Sequence, residues 1–243
     1  MKETLFISDL HLSPERPERV ELFLRFLGHR AQQAEALYIL GDLFDAWIGD
    51  DNETAPIPTI LTAMRTLKDS GCKLHIMQGN RDFLLGEVFA EKAAATLLSD
   101  PTLIDLYGTP TLLMHGDLLC TDDAAYQQFR QQIRSPTLIA DFLSKPIPER
   151  VIVAKEMRKQ SGDINAAKSG EIMDVNQKSV EEFMLDSGAN LLIHGHTHRP
   201  DEHDIDLNGT HACRIVLADW CNDKGELLSV SREEISREML SLS

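Results

Sequence analysis

The chain has 243 residues, 42% of them hydrophobic and 26% charged, a length and balance that suit one packed domain with an embellishment and exclude a disordered chain. A formal charge of −15 opposes non-specific attraction to nucleic acid, whose phosphates are met by Lys and Arg, so no nucleic-acid partner is expected. Cys72, Cys120, Cys213 and Cys221 lack CxxC spacing and read as reduced thiols, not as a disulfide framework or a zinc knuckle.

Residues 1–8 run straight into a strand-like segment ending at Asp9, leaving no room for a secretory leader. No apolar run approaches the roughly 18 residues of a membrane span, so a cytoplasmic chain is expected. Strands are predicted at Thr4–Ser8, Ala36–Leu40, Lys73–Gln78, Thr111–Met114 and Asn190–His194, each short, apolar and stopped by Gly, Asp, Asn or His. Between them Pro17–Ala34, Ile57–Ser70 and Ser179–Ser187 carry apolar residues at helical intervals, with Gly71 and Gly188 as C-terminal stops. Arg214–Leu217 and Leu227–Val230 read as later strands. This alternation predicts an α/β fold.

Residues 122–175 break the pattern. They contain Pro136, Pro146 and Pro148, apolar residues at helical spacing and no strand signal, which predicts a helical cap inserted between core segments 1–121 and 176–243. Arg130 through Lys168 hold eight basic residues against four acidic ones, a basic island in an acidic chain. It suits an anionic substrate or a membrane surface, or is a solvated helix face. The apolar residues of the same segment either pack on the core or receive an acyl chain or membrane.

In open α/β sheets ligands bind beyond the carboxyl ends of strands, and five motifs stand there: Asp9-Leu10-His11, Gly41-Asp42, Gly79-Asn80-Arg81-Asp82, His115-Gly116-Asp117 and His194-Gly195-His196-Thr197-His198. Together they offer imidazoles, two carboxylates and an amide with no thiolate, enough for two divalent ions if Asp42 bridges. That donor set suits Mn or Fe and admits Zn or Mg, with Mn the single choice, so two Mn2+ ions are expected. Such a pair activates a water for in-line attack on phosphorus. Arg81 would brace the phosphoryl oxygens, and Asp42, Arg81, His115 and His196 are the catalytic candidates. Asp45, Asp82 and Asp117 are expected to orient the imidazoles, and His194 to end its strand as a buried support.

These five motifs resemble the signature of the calcineurin-like metallophosphoesterases. The resemblance implies a four-layer αββα sandwich with a helical cap insertion. It also implies a dimetal centre with Asp9, His11, Asp42 and His198 on one ion and Asp42, Asn80, His115 and His196 on the other. The wording around the motifs, such as Ala46-Trp47-Ile48-Gly49-Asp50-Asp51 and Ile172-Met173-Asp174-Val175-Asn176-Gln177, is similar to members of that family that hydrolyse UDP-2,3-diacylglucosamine in lipid A biosynthesis. Those members imply a lipid-linked UDP-sugar as substrate, peripheral attachment to the cytoplasmic face of the inner membrane and no obligate protein partner. They further imply substrate contacts from Asn80, Arg81, Asp123, Ser161, Asn165, Lys168 and His196. The helical spacing of Ser161, Asn165 and Lys168 puts them on one face. Ala218, before Asp219-Trp220, departs from the Gly expected there. The alternative is a dimetal phosphoesterase acting on soluble nucleotides.

Overall fold

The computed structural model describes residues 2–166, 172 and 174–242, without the side chains of 160–166. The first half alternates strand and helix: β1 (Thr4–Ile7), α1 (Pro17–Gly28), β2 (Ala36–Leu40), α2 (Ile57–Asp69), β3 (Lys73–Met77), α3 (Glu87–Ala93) and β4 (Thr96–Leu98). A hairpin follows, β5 (Thr102–Leu106) and β6 (Thr109–Met114). Three helices come next, α4 (Ala124–Ile133), α5 (Pro136–Ser144) and α6 (Ile147–Ala166). The chain closes with α7 (Gln177–Ser187), β7 (Leu191–His194), β8 (Asp201–Leu207), β9 (Thr210–Val216), β10 (Lys224–Val230) and β11 (Ile235–Ser241).

The strands form two sheets, ordered β11-β10-β1-β2-β3-β4 and β5-β6-β7-β9-β8. Period-two alternation sorts their side chains into layers. Leu5 and Ile7 of β1 and Leu37 and Ile39 of β2 join Phe23, Ile60 and Phe89 in the core under α1–α3. Phe6 and Leu40 of these strands point the other way and meet Leu113, Leu191 and Ile193 of the second sheet. Leu112, Met114 and Leu192 turn outward to Val180 and Met184 of α7. Helix, sheet, sheet and helix are therefore stacked, as an αββα sandwich requires. Burying each large apolar side chain contributes roughly 1.5–3 kcal/mol, so strands with apolar residues on both faces belong inside such a stack.

Several boundaries differ from those predicted. The helix expected over Pro17–Ala34 ends at Gly28 and is followed by a separate 3-10 turn, Ala31–Gln33. Ser70, not Gly71, caps α2, although Gly71 takes the next, left-handed position at φ 104°. Gly188 does close α7, at φ 69°, where the missing Cβ removes the penalty of that conformation. β9 and β10 each run to seven residues, longer than the predicted strands. The polar strands β8 (Asp201-Glu202-His203-Asp204-Ile205-Asp206-Leu207) and β11 were not foreseen. They are sheet edges, where one partner strand suffices and apolar alternation is not demanded.

Where the cap was predicted, α4, α5 and α6 are helical and the described residues hold no strand. The chain leaves and returns at one place: the Asn176 backbone N–H donates to the Leu119 carbonyl at 2.9 Å, and the Asn176 amide donates to the Asp122 carboxylate at 2.9 and 3.1 Å. Pro136 opens α5 behind the Ser135 cap, and Asn176 caps α7, both arrangements that satisfy orphan N–H groups.

Candidate metal centre

The five motifs follow β1, β2, β3, β6 and β7. β1-β2-β3 are parallel neighbours in one sheet and β6-β7 in the other, so each set of strands ends on the same edge. The loops beyond are laced together: Asp9 N–H donates to the Gly41 carbonyl (3.1 Å), His11 N–H to the Asp42 carbonyl (2.9 Å) and Gly195 N–H to the His115 carbonyl (2.9 Å). Asp9, His11, Asp42, His196 and His198 all have φ between 49° and 69°, the left-handed region that non-glycine residues rarely enter and that gathers at functional sites. Two glycines permit the close packing. A Cβ on Gly79 would lie 2.1 Å from Asp42 Oδ1, and one on Gly195 would lie 2.3 Å from Asp9 Oδ2.

The structure brings all seven predicted ligands into one row. His198 Nε2 lies 3.3 Å from Asp9 Oδ1 and 3.4 Å from His11 Nε2. Asp42 stands at the middle, Oδ2 3.8 Å from His11 Nδ1 and Oδ1 3.8 Å from His115 Nε2. At the far end Asn80 Oδ1 meets His115 Nε2 at 2.9 Å and His196 Nδ1 at 3.0 Å. One ligand atom each from Asp9, His11 and His198, and likewise from Asp9, Asp42 and His115, falls within 4.8 Å of the others.

The donors fit divalent cations. Burial pushes His11 down to about 3, and burial with the nearby His115 pushes His196 down to about 4, so both rings are neutral near pH 7, the form that binds metal. Burial, with Asp82 and Asp9 close by, pushes the Asp42 carboxyl up to about 7. His115 is raised to about 9 because Asp42, Asp9 and Asp117 together outweigh its burial. Such crowding of buried carboxylates is relieved by positive charge. His11 Nδ1, buried, has no hydrogen-bond partner among the described residues.

The supporting contacts differ from those expected. Among the described residues, none of Asp45, Asp82 and Asp117 holds an imidazole. Asp82 accepts from the backbone N–H of Gly79 (2.7 Å) and Phe44 (3.2 Å), tying two ligand loops. Asp117 pairs with Arg130, and Asp45 with Arg158 at 2.5 Å. His115 is oriented instead by donation from Nδ1 to the Leu40 carbonyl at 2.9 Å, which leaves Nε2 facing Asn80. His198 Nδ1 faces Asp219 at 3.7 Å. A backbone carbonyl has no sequence signature, and Asp219 lies outside the five motifs. His194 is fully buried, donating from Nδ1 to the Gly195 carbonyl, with Arg214 donating toward Nε2, the supporting place expected of it.

Arg81 donates its backbone N–H to Asp42 Oδ1 at 2.8 Å. With Asn80, the one proposed ligand in its lining, it lines a cavity of about 280 Å³ under the cap, walled by Phe83, Phe129, Leu138, Ile139, Phe142 and Met157 and edged by Lys145 and Arg158. Tyr126, not anticipated, also lines it, its ring 6.1 Å from that of His196. Asp123 is buried and caps α4, accepting the Tyr126 N–H at 3.1 Å. Ser161 and Asn165 fall in α6, but their side chains, like all of Lys168, lie outside the described residues.

Comparison with known proteins agrees with this geometry. Residues 3–200 match the family profile described as calcineurin-like phosphoesterase. A UDP-2,3-diacylglucosamine hydrolase of Xanthomonas axonopodis pv. citri (strain 306) is 48% identical, over 98% of this chain and 99% of that protein. One of Pseudomonas aeruginosa (strain UCBPP-PA14) is 50% identical, over 89% of this chain and 90% of that protein. Among solved structures, an archaeal phosphodiesterase superposes with a TM-score of 0.50 at 13% identity, covering 99% of both chains, a likeness of fold.

Proposed function

The chain belongs to the calcineurin-like phosphoesterase family, and we propose on that basis that it hydrolyses the pyrophosphate of UDP-2,3-diacylglucosamine at the α-phosphorus. The products are UMP and 2,3-diacylglucosamine 1-phosphate, a step of lipid A biosynthesis. The observation that carries this reading is the apolar cavity beneath α4, α5 and α6, which Asn80 and Arg81 of the candidate site line together with Phe129, Leu138, Ile139 and Phe142. An enzyme of soluble nucleotides has no use for such a chamber.

Asp9, His11, Asp42 and His198 would hold one Mn2+ ion, and Asp42, Asn80, His115 and His196 a second. Bound there, the ions supply positive charge that acidifies a water and offsets charge growing on the phosphoryl oxygens. Arg81, anchored to Asp42 through its backbone, directs its guanidinium at those oxygens. His115 and His196 close on Asn80 and fix the end of the site nearest the cap, where the leaving phosphate departs. The acyl chains lie among Phe129, Leu138, Ile139 and Phe142 and exclude water. Asp123, Ser161, Asn165 and Lys168 bind the glucosamine and its phosphate.

No helix among the described residues is long and apolar enough to cross a membrane. Exposed Leu143 and Ile152 on the cap, with exposed Lys155 and Lys159 on the same helix as Ile152, support peripheral attachment to the cytoplasmic face of the inner membrane.

The test is incubation of the purified protein and Mn2+ with UDP-2,3-diacylglucosamine, cyclic nucleotides and dinucleoside polyphosphates in parallel. UMP release from the lipid nucleotide alone is expected. Turnover of the soluble nucleotides in preference to the lipid nucleotide would overturn the assignment.

A further inference from the structure

Helix α4 docks the wrong way round for an ordinary surface helix. Such a helix buries its apolar stripe and exposes its polar one, yet Phe129 is 41% exposed, while Tyr126, Gln127, Arg130 and Arg134 are partly buried and hydrogen-bonded to the core, with Tyr126, Phe129, Arg130 and Arg134 all lining the cavity. Tyr126, Arg130 and Arg134 are spaced four apart, so they form one stripe.

Most of these polar contacts end on loops that carry candidate ligands, Gln127 also reaching the Cys120 carbonyl at 3.1 Å. Arg130 Nε donates to Asp117 Oδ2 at 2.7 Å, and the Tyr126 hydroxyl donates to the same oxygen at 2.9 Å. Gln127 Nε2 donates to the Asp117 carbonyl at 2.7 Å. Asp117 sits two residues beyond His115. Arg134 Nη2 donates to the Gly79 carbonyl at 2.8 Å, beside Asn80, and stands 3.9 Å from Asp117 Oδ2. One face of one cap helix thus grips both the loop of His115 and the loop of Asn80.

Asp100 completes the cluster from behind. It is buried 4.0 Å from Arg130, and neither of its carboxylate oxygens has a hydrogen-bond partner among the described residues. Two guanidiniums against two carboxylates balance in charge. Buried ion clusters of this kind contribute little net stability, because desolvation opposes the attraction. What they supply is a defined geometry.

We propose that α4 is part of the second metal subsite, and that Arg130 and Arg134 are positioning residues that set the separation of Asn80 and His115. This inference rests on the metal assignment above. The cap is pinned separately by Arg150, which forks onto Asp51 at 2.7 and 2.5 Å and donates to the Ile48 carbonyl at 2.7 Å, six or more residues beyond Asp42 and away from the loops of Asn80 and His115. Arg150 therefore distinguishes a general anchor of the cap from a specific brace of the subsite.

The experiment is a Mn2+ titration of the metal-stripped full-length protein, followed by the electron paramagnetic resonance signal of free Mn2+. The wild type, Arg134→Met, Arg130→Lys and Arg150→Met are compared, and circular dichroism confirms the fold of each. The wild type is expected to take up two ions. Arg134→Met and Arg130→Lys are expected to bind one of them about 10–100-fold more weakly while the other is held as before, the range usual for residues that orient ligands. Arg150→Met is expected to match the wild type. Uptake by both Arg134→Met and Arg130→Lys identical to the wild type overturns the inference, as does an equal loss in Arg150→Met. A wild type that binds no ion overturns the metal assignment itself.

Discussion

Asp100→Asn tests the energetics at the junction of cap and core. Burial, with the negative charge of Asp117 beside it, pushes the Asp100 carboxyl from 3.8 up to about 6, despite Arg130 and Arg134 nearby. A raised acid binds its proton more tightly when folded than when unfolded. Its stability contribution is therefore fully present below the unfolded value near 4 and is lost as pH rises toward 6, after which the deficit is constant. About two units correspond to roughly 3 kcal/mol. Asparagine has the shape of the protonated acid and no charge to ionise, so Asp100→Asn should stabilise the metal-free protein by up to about 3 kcal/mol at pH 8 and by about half of that at pH 5. Urea unfolding of both proteins at a series of pH values between 5 and 8 measures the difference directly. A gain independent of pH, or a variant less stable than the wild type at pH 8, would refute the reasoning and imply that the ionised carboxylate is held by its guanidinium neighbours.

Three further outcomes follow from the site. Gly79→Ala places a methyl 2.1 Å from Asp42 Oδ1, so activity and Mn2+ uptake should fall by about a hundredfold or more with secondary structure retained in circular dichroism, since even an ångström of misplacement is that costly. Asp42→Asn should abolish UMP release, while the metal-free protein, relieved of a carboxyl raised to about 7, gains stability above neutral pH. Phe142→Asp, in the wall of the cavity, should raise KM for the diacylated substrate by about tenfold or more, given roughly 1.5–3 kcal/mol for an apolar side chain of this size. Its hydrolysis of a small soluble aryl phosphodiester should be unchanged, and equal losses on both substrates would place the acyl chains elsewhere.

The sequence by itself determined the layering and the ligand cluster. Strands such as Leu37–Leu40 carry apolar residues on both faces because both faces are covered. Metal-binding side chains are a short list of residue types, and five parallel-strand ends on neighbouring strands bring them together without further information. The tertiary structure alone decided the rest. β8 and β11 are strands because a neighbour offers hydrogen bonds at a sheet edge, not because of any apolar period. Asp82 accepts from the backbone N–H groups of Gly79 and Phe44, and Asp117 from Arg130, instead of from an imidazole, since a carboxylate accepts from whichever donor the fold delivers. His115 is aimed by the Leu40 carbonyl, a group every residue possesses and no sequence marks. The polar face of α4 turns inward for the same reason: in sequence Arg130 and Arg134 suit an anionic substrate, a membrane or solvent alike, and only the fold brings their partners, Asp117 and the Gly79 carbonyl, within hydrogen-bond reach.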